Sequence, residues 1–209
     1  MEAGGAVIAY KFLATGARGP FTRYQWSAGE WVDAVRAQEG YGVHACRVSD
    51  LAFWIGDELW RVELQGTVHE RETQIEASRG RLLERIGRWD PTARREFGLA
   101  CVFRARDVVA AALRSLGHPA IADRLEAAAS LEDLAATVRS LEAPPGFAGE
   151  MFGYARDAAM AFSMSGNPAE ASFIASIATA ASRGNPAGFN EEKRRESSWL
   201  AERLSVAAV

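Results

Sequence analysis

Hydrophobic and polar positions along the chain follow two different periods. From 6 to 13 the run AVIAYKFL is apolar and rich in strand formers. Ile8, Tyr10 and Phe12 point one way, and Val7, Ala9, Lys11 and Leu13 the other. From 58 to 64, Trp60, Val62 and Leu64 alternate with Arg61 and Glu63, which predicts a strand with one apolar face. Residues 41–46 predict a further strand, and 73–86 one or two more, with RLLERI at 81–86 open between strand and helix. Ser27-Ala-Gly-Glu30 has a capping-box pattern and predicts a helix over 27–38. Ser49 or Asp50 would cap a short helix over 51–55, and the glycine-rich 16–20 is loop chemistry.

Past Trp89 the period becomes helical. Asp90-Pro91 joins a good N-cap to a proline at the first helical position, opening a helix to about 116 with Gly117 just beyond its end. Further helices are predicted over 120–129, over 131–141 behind Ser130, and over 148–164. Gly166-Asn-Pro168 and Gly184-Asn-Pro186 are near copies that each stop one helix and start the next. They read as repeated turn chemistry, not as a repeat domain. Met151, Phe152, Met160, Phe162, Met164, Phe173 and Ile174 read as core, Glu191–Glu196 as a solvated helical face, and Trp199, Leu200 and Leu204 as a docking stripe. The pattern predicts an α+β chain. A small, aromatic-rich sheet half with short helices covers 1–89 and binds ligand; an all-α half over 90–209 packs against it.

Composition narrows the function classes. The 209 residues are 48% hydrophobic, enough for a core, and the net charge of -3 offers no basic excess for nucleic acid. No apolar run approaches the ~18 residues of a membrane span, and the N-terminus lacks the basic start of a signal peptide. Cys46 and Cys101 are too few for a disulfide framework, so a cytoplasmic protein with reduced thiols is expected. Lys11 and Lys193 are the only lysines beside 22 arginines. A lysine therefore carries more information here than an arginine.

The densest candidate chemistry is Gly42-Val-His44-Ala-Cys46. His44 and Cys46 share one face of a strand and read either as a nucleophile with its base or as packed core. Lys11, inside an apolar strand, either blocks a sheet edge or enters a pocket as an anion anchor or base. Arg18 and Arg23, in a glycine-rich loop, either hold a phosphate or carboxylate or sit on a plain surface turn; no phosphate-loop or dinucleotide motif follows the strand. Trp26, Trp54 and Trp60, with Phe21, Tyr24, Trp31 and Phe53, either line a concave site or pad a small core. His44, Cys46, His69 and Cys101 lack the spacing of a zinc site, and no metal is expected.

The segment 10–66, with its lysine strand, GPF turn, GVHAC, DLAFWI and ELWRVELQG, resembles a family of bacterial proteins of unknown activity. The order of Lys11, Gly42–Cys46, the 51–55 helix and the 59–64 strand, with Gln74-Ile-Glu76 behind them, more distantly resembles the ADP-ribosyltransferase-like fold. That resemblance implies NAD as cofactor and Glu76 as the catalytic carboxylate. It departs from the pattern at Lys11, where an Arg or His is usual, and at Ala45-Cys46, where a Ser or Thr is usual.

Three functions are therefore expected. The first is a cofactor-independent, small-molecule enzyme of bacterial (secondary) metabolism, of cyclase or lyase type. In it His44 is acid and base, Cys46 a possible nucleophile and Lys11 or Arg18 the anion holder; Arg23, Trp26, Trp54 and Trp60 complete the substrate site. The second is NAD-dependent ADP-ribosyl transfer through Glu76. The third is a non-catalytic interaction or immunity module with aromatic anchors. Substrate and oligomeric state stay open.

Overall fold

A computed structural model describes residues 6–34 and 42–207. Among them are five strands in one antiparallel sheet, a 3₁₀ helix and six α-helices, an α+β architecture. Two compact units emerge: Met1–Asp90 with Ser197–Val209, and Pro91–Glu196. The last turns of the final helix thus go with the sheet. Among the described residues no helix is long and apolar enough to cross a membrane.

In the first unit, β1 (Val7–Leu13) pairs along its whole length with β4 (Glu58–Glu70), which pairs with β5 (Ile75–Arg85). β2 (Trp31–Asp33) and β3 (Val43–Ala45) lie end to end on the far edge of β5. Two register shifts bend β4 against β5, after Arg61 and after Gln65. Such irregularities increase local twist and bend a sheet. The bend lets β3 come round to β1: Tyr10 N–H donates to the Cys46 carbonyl at 2.9 Å, and Cys46 N–H to the Tyr10 carbonyl at 2.7 Å. β1, β4, β5 and β3 therefore close into a ring. Its interior holds Ala9 and Leu13 of β1, Val62 and Leu64 of β4, Ile75, Ala77 and Leu82 of β5, Val43 and Ala45 of β3, and Trp26. Gly80 and Gly42 are needed where the ring is tight. A Cβ on Gly80 would sit 2.8 Å from Val43 Cγ1, and one on Gly42 2.8 Å from the Ala77 carbonyl.

The opposite face of β1 is also covered. Phe12 meets Trp89 edge to face at 5.7 Å, and Trp89 donates to the Gly56 carbonyl. Tyr10 Oη donates to the Ala207 carbonyl, and Ser197 Oγ accepts from Ala52 N–H.

Three local expectations are corrected in this unit. Residues 27–34 are not helical. Gly29 takes φ +81°, and Gly29 and Ala34 donate to Leu82 and Ser78 of β5, so 31–33 become β2. Cross-strand pairing outbids the capping box; 35–38 of that expected helix lie outside the described residues. The short helix is a 3₁₀ helix over Val48–Phe53, starting three residues early. Neither Ser49 nor Asp50 caps it, because Asp50 is drawn into a 2.6 Å ion pair with Arg47. Residues 81–85 extend β5, with Leu82 buried opposite Val62.

The second unit follows its punctuation closely. It comprises α1 (Pro91–Ser115), α2 (Pro119–Glu126), α3 (Leu131–Ser140), α4 (Phe147–Ser165), α5 (Pro168–Arg183) and most of α6 (Ala187–Leu204). Ser130 Oγ accepts from Asp133 N–H at the start of α3. Asn167 and Asn185 accept from Ala169 and Ala187 N–H, while Gly166 and Gly184 end the preceding helices in the left-handed region. Each such cap is worth about 1 kcal/mol. Met151, Phe152 and Phe162 are core, but Met164 and Phe173 are exposed, a correction to the predicted apolar set.

The 191–196 segment is also corrected: Glu192, Lys193 and Glu196 are buried. Arg104 and Arg195 grip Glu192. Lys193 Nζ donates to Ser172 Oγ at 2.5 Å, and Ser172 Oγ donates to Glu196 Oε2 at 2.5 Å. Cys101 Sγ lies 3.5 Å from Glu196 Oε1. Burial pushes the Glu196 carboxyl up to about 7, against the pull of Lys193 and the Ser172 hydrogen bond. Its folded value lies above its ordinary value of 4.5, so its contribution is complete below 4.5 and is lost as pH rises through 7. We predict that chemical denaturation at pH 4.5 and 8 will show a loss of up to about 3 kcal/mol across that window in the wild type. Glu196→Gln should flatten it.

Candidate functional site

Among the described residues, the only backbone pairing between β1 and the end of β3 is that of Tyr10 with Cys46. Beyond that pair they diverge, and a cavity of about 820 Å³ opens between Lys11–Leu13 on one side and Gly42–Ala45 on the other. This lies in the ~300–1,000 Å³ range of small-molecule sites. Phe12, Phe21, Tyr24, Trp26, Phe53 and Trp54 line it, with Val32, Val43 and Ile55. Trp54 is held by its Nε1 donating to the Thr73 carbonyl at 2.7 Å. Phe21 sits at the rim, 86% exposed.

The loop 14–25 forms one side of the mouth. Asp57 accepts from Thr15 N–H and Oγ1, and the Glu58 carboxylate accepts from Gly16 and Ala17 N–H at 3.0 and 3.1 Å. Ala17 and Arg23 both take positive φ, 55° and 56°. The Glu58 carboxylate anchors Ala17 in this unfavourable conformation. Burial resists ionisation of Glu58, but the donors Gly16, Trp60 and Ala17, with Arg85, outweigh it and hold the carboxyl below its ordinary value.

Lys11 carries the chemistry of the cavity. Strand alternation sends it to the interior face with Ala9 and Leu13. Its Nζ donates to the His44 carbonyl at 2.5 Å and lies 5.3 Å from the centre of the Trp26 ring. Among the described residues no carboxylate pairs with it. The one acid among the described lining residues, Asp33, is exposed and faces Arg79 at 3.7 Å. Desolvation lowers the Lys11 ammonium to about 8.

His44 and Cys46 also line the cavity. Their strand sends both side chains to the face opposite Val43 and Ala45, so Lys11 meets His44 through its main chain. His44 Nδ1 is buried and has no hydrogen-bond partner among the described residues. Cys46 is fully buried. Burial, then Asp50, pushes its thiol up to about 12, so it stays protonated at neutral pH and is not in its nucleophilic form.

The other sequence candidates divide. Trp26 and Trp54 line the cavity. Trp60 does not: it packs against the ring's interior and donates to Glu58 Oε2 at 3.1 Å. Arg18 and Arg23 are exposed and lie outside the lining; Arg18 Nε donates to Gln25. Glu76 is buried beside the cavity, not in its wall, accepting from Gly42 N–H at 3.1 Å and Arg71 at 3.3 Å. The carboxylate that the transferase resemblance makes catalytic is thus turned into protein donors. Among the described residues no group of three His, Cys, Asp or Glu side chains has the arrangement of a metal site.

Sequence reasoning passed over Phe12 and Gln74, which line the site. Phe12 carried no signal beyond its strand, and Gln74 was read only through the transferase motif. A second depression of about 460 Å³ lies in the second unit, lined by Arg95, Glu132, Arg139 and Met164 among others.

The anchoring of the loop is testable. Glu58→Ala removes the acceptor of three N–H groups, on Gly16, Ala17 and Trp60, and should cost about 2–4 kcal/mol in denaturant unfolding. Because the folded carboxyl lies below its ordinary value of 4.5, its contribution is present above 4.5 and lost as pH falls. The gap between wild type and variant should therefore narrow in acid. An equal gap at pH 7 and pH 3 would contradict the assignment.

Set beside models of protein families, curated proteins and solved structures, the chain matches none.

Proposed function

We propose that the sheet unit binds a small, mainly apolar molecule carrying one anionic group, and that it performs cofactor-independent acid–base chemistry on it. The observation that carries this reading is a single ammonium without a carboxylate partner among the described residues, in an aromatic-lined cavity. Burying a charge without a partner is costly. A ligand anion would repay that cost at Lys11, and the aromatic wall would take the ligand's apolar body. His44 is the acid–base group of this reading, since its buried Nδ1 lacks a hydrogen-bond partner among the described residues.

Titration calorimetry with benzoate, phenylacetate and benzyl alcohol tests it. Both carboxylates should bind at least about tenfold more tightly than the alcohol, a difference of about 1.4 kcal/mol. Lys11→Met should erase that preference while leaving weak binding of the alcohol. Binding of none of the three, or a preference untouched by Lys11→Met, would overturn the proposal.

A further inference from the structure

Lys11 differs from a simple charge anchor in its surroundings. It stands on the interior face of a closed ring, its Nζ is held by one carbonyl, and the Trp26 ring flanks it. Carboxylates, which would keep an ammonium protonated and unreactive, are absent around it among the described residues. We propose that Lys11 is a nucleophile that captures an aldehyde or ketone in the cavity as a reversible imine. The proposal rests on the reading of this cavity as a small-molecule site.

The step balances without any further reagent. The neutral Lys11 amine adds its lone pair to the carbonyl carbon, the carbon–oxygen π bond breaks, and a proton moves from nitrogen to oxygen to give a carbinolamine. Loss of that oxygen as water leaves the imine. Once protonated, the imine nitrogen keeps one N–H. The His44 carbonyl, already 2.5 Å from Nζ, is placed to accept it, and the Trp26 ring favours a cation nearby. The site is thus suited to a nitrogen with a positive charge and few protons. Desolvation supports the same chemistry: with its pKa lowered from 10.5 to about 8, the amine is neutral far more often than an exposed lysine.

The chain makes the test unusually clean, because Lys193 is the only other lysine and it is buried in the second unit. The full-length protein is treated with benzaldehyde and cyanoborohydride at neutral pH, with Nα-acetyllysine in the same solution. Peptide mapping then locates the reduced adduct. Lys11 should be trapped about a hundredfold faster than Nα-acetyllysine, as its larger neutral fraction requires. Its labelling should saturate with benzaldehyde and be competed by benzoate, while the N-terminal amine labels linearly. Lys11→Arg, checked for folding by circular dichroism, should lose the saturable adduct. Benzoate binding with no excess labelling at Lys11 would overturn the imine and leave the cavity reading intact. Absence of both binding and labelling would overturn the two together.

Discussion

Two backbone hydrogen bonds between Tyr10 and Cys46 turn an open sheet into a ring. The consequences follow from geometry. A five-stranded antiparallel sheet with one covered face has no interior cavity; a ring of strands has one, and must fill it or leave it for a ligand. Here most of the interior is filled by Val, Leu, Ile and Ala side chains with Trp26. Where β1 and β3 part beyond their single pair, the filling stops and the cavity begins. The bends in β4 and β5, the glycines at 42 and 80, and the Arg47 clamp onto Asp50 and Glu70 all serve that closure.

Within the ring, one charge sets the chemistry. Among the described residues, this interior lysine has given up water for a carbonyl and a π face. Neither offsets the desolvation of an ammonium as a carboxylate would. The protein therefore holds Lys11 in a state that either an anion or loss of the proton relieves. The same physics acts in the second unit with a different outcome. There Lys193 is buried and desolvation lowers its ammonium too, but Ser172 and the Glu196 carboxylate face it. The half-buried Lys11 and the buried Lys193 thus differ in their partners among the described residues, a carbonyl and a ring against a serine and a carboxylate.

How far the sequence foretold this depends on the kind of signal. Helix ends were legible because capping is local: Ser130, Asn167 and Asn185 act within three residues of themselves. The strands at 7–13 and 58–64 announced themselves by alternation, but the extension of β4 to Glu70 did not. The 27–33 segment did not, because its capping box was overruled by pairing with β5, a partner some fifty residues away. The burial of Glu192, Lys193 and Glu196 was hidden for a related reason: charged spacing on a helix looks solvated until α5 brings Ser172 and α1 brings Arg104 to meet it. Lys11, Trp26 and Trp54 were legible as site candidates. Arg18 and Arg23 looked equally good on composition, yet their turn projects them outward.

The central claim is that Lys11 is a desolvated ammonium without a carboxylate partner among the described residues. Its titration tests that most directly. Labelling lysine with ¹³C at Cε gives a spectrum with two resonances to follow, and Lys11→Arg assigns them. The account predicts that the Lys11 resonance titrates near pH 8, and that saturating benzoate moves its midpoint upward, because a bound anion favours the charged form. A midpoint at the ordinary 10.5, unmoved by benzoate, would mean that Lys11 is solvated and that the cavity holds no chemistry of its own.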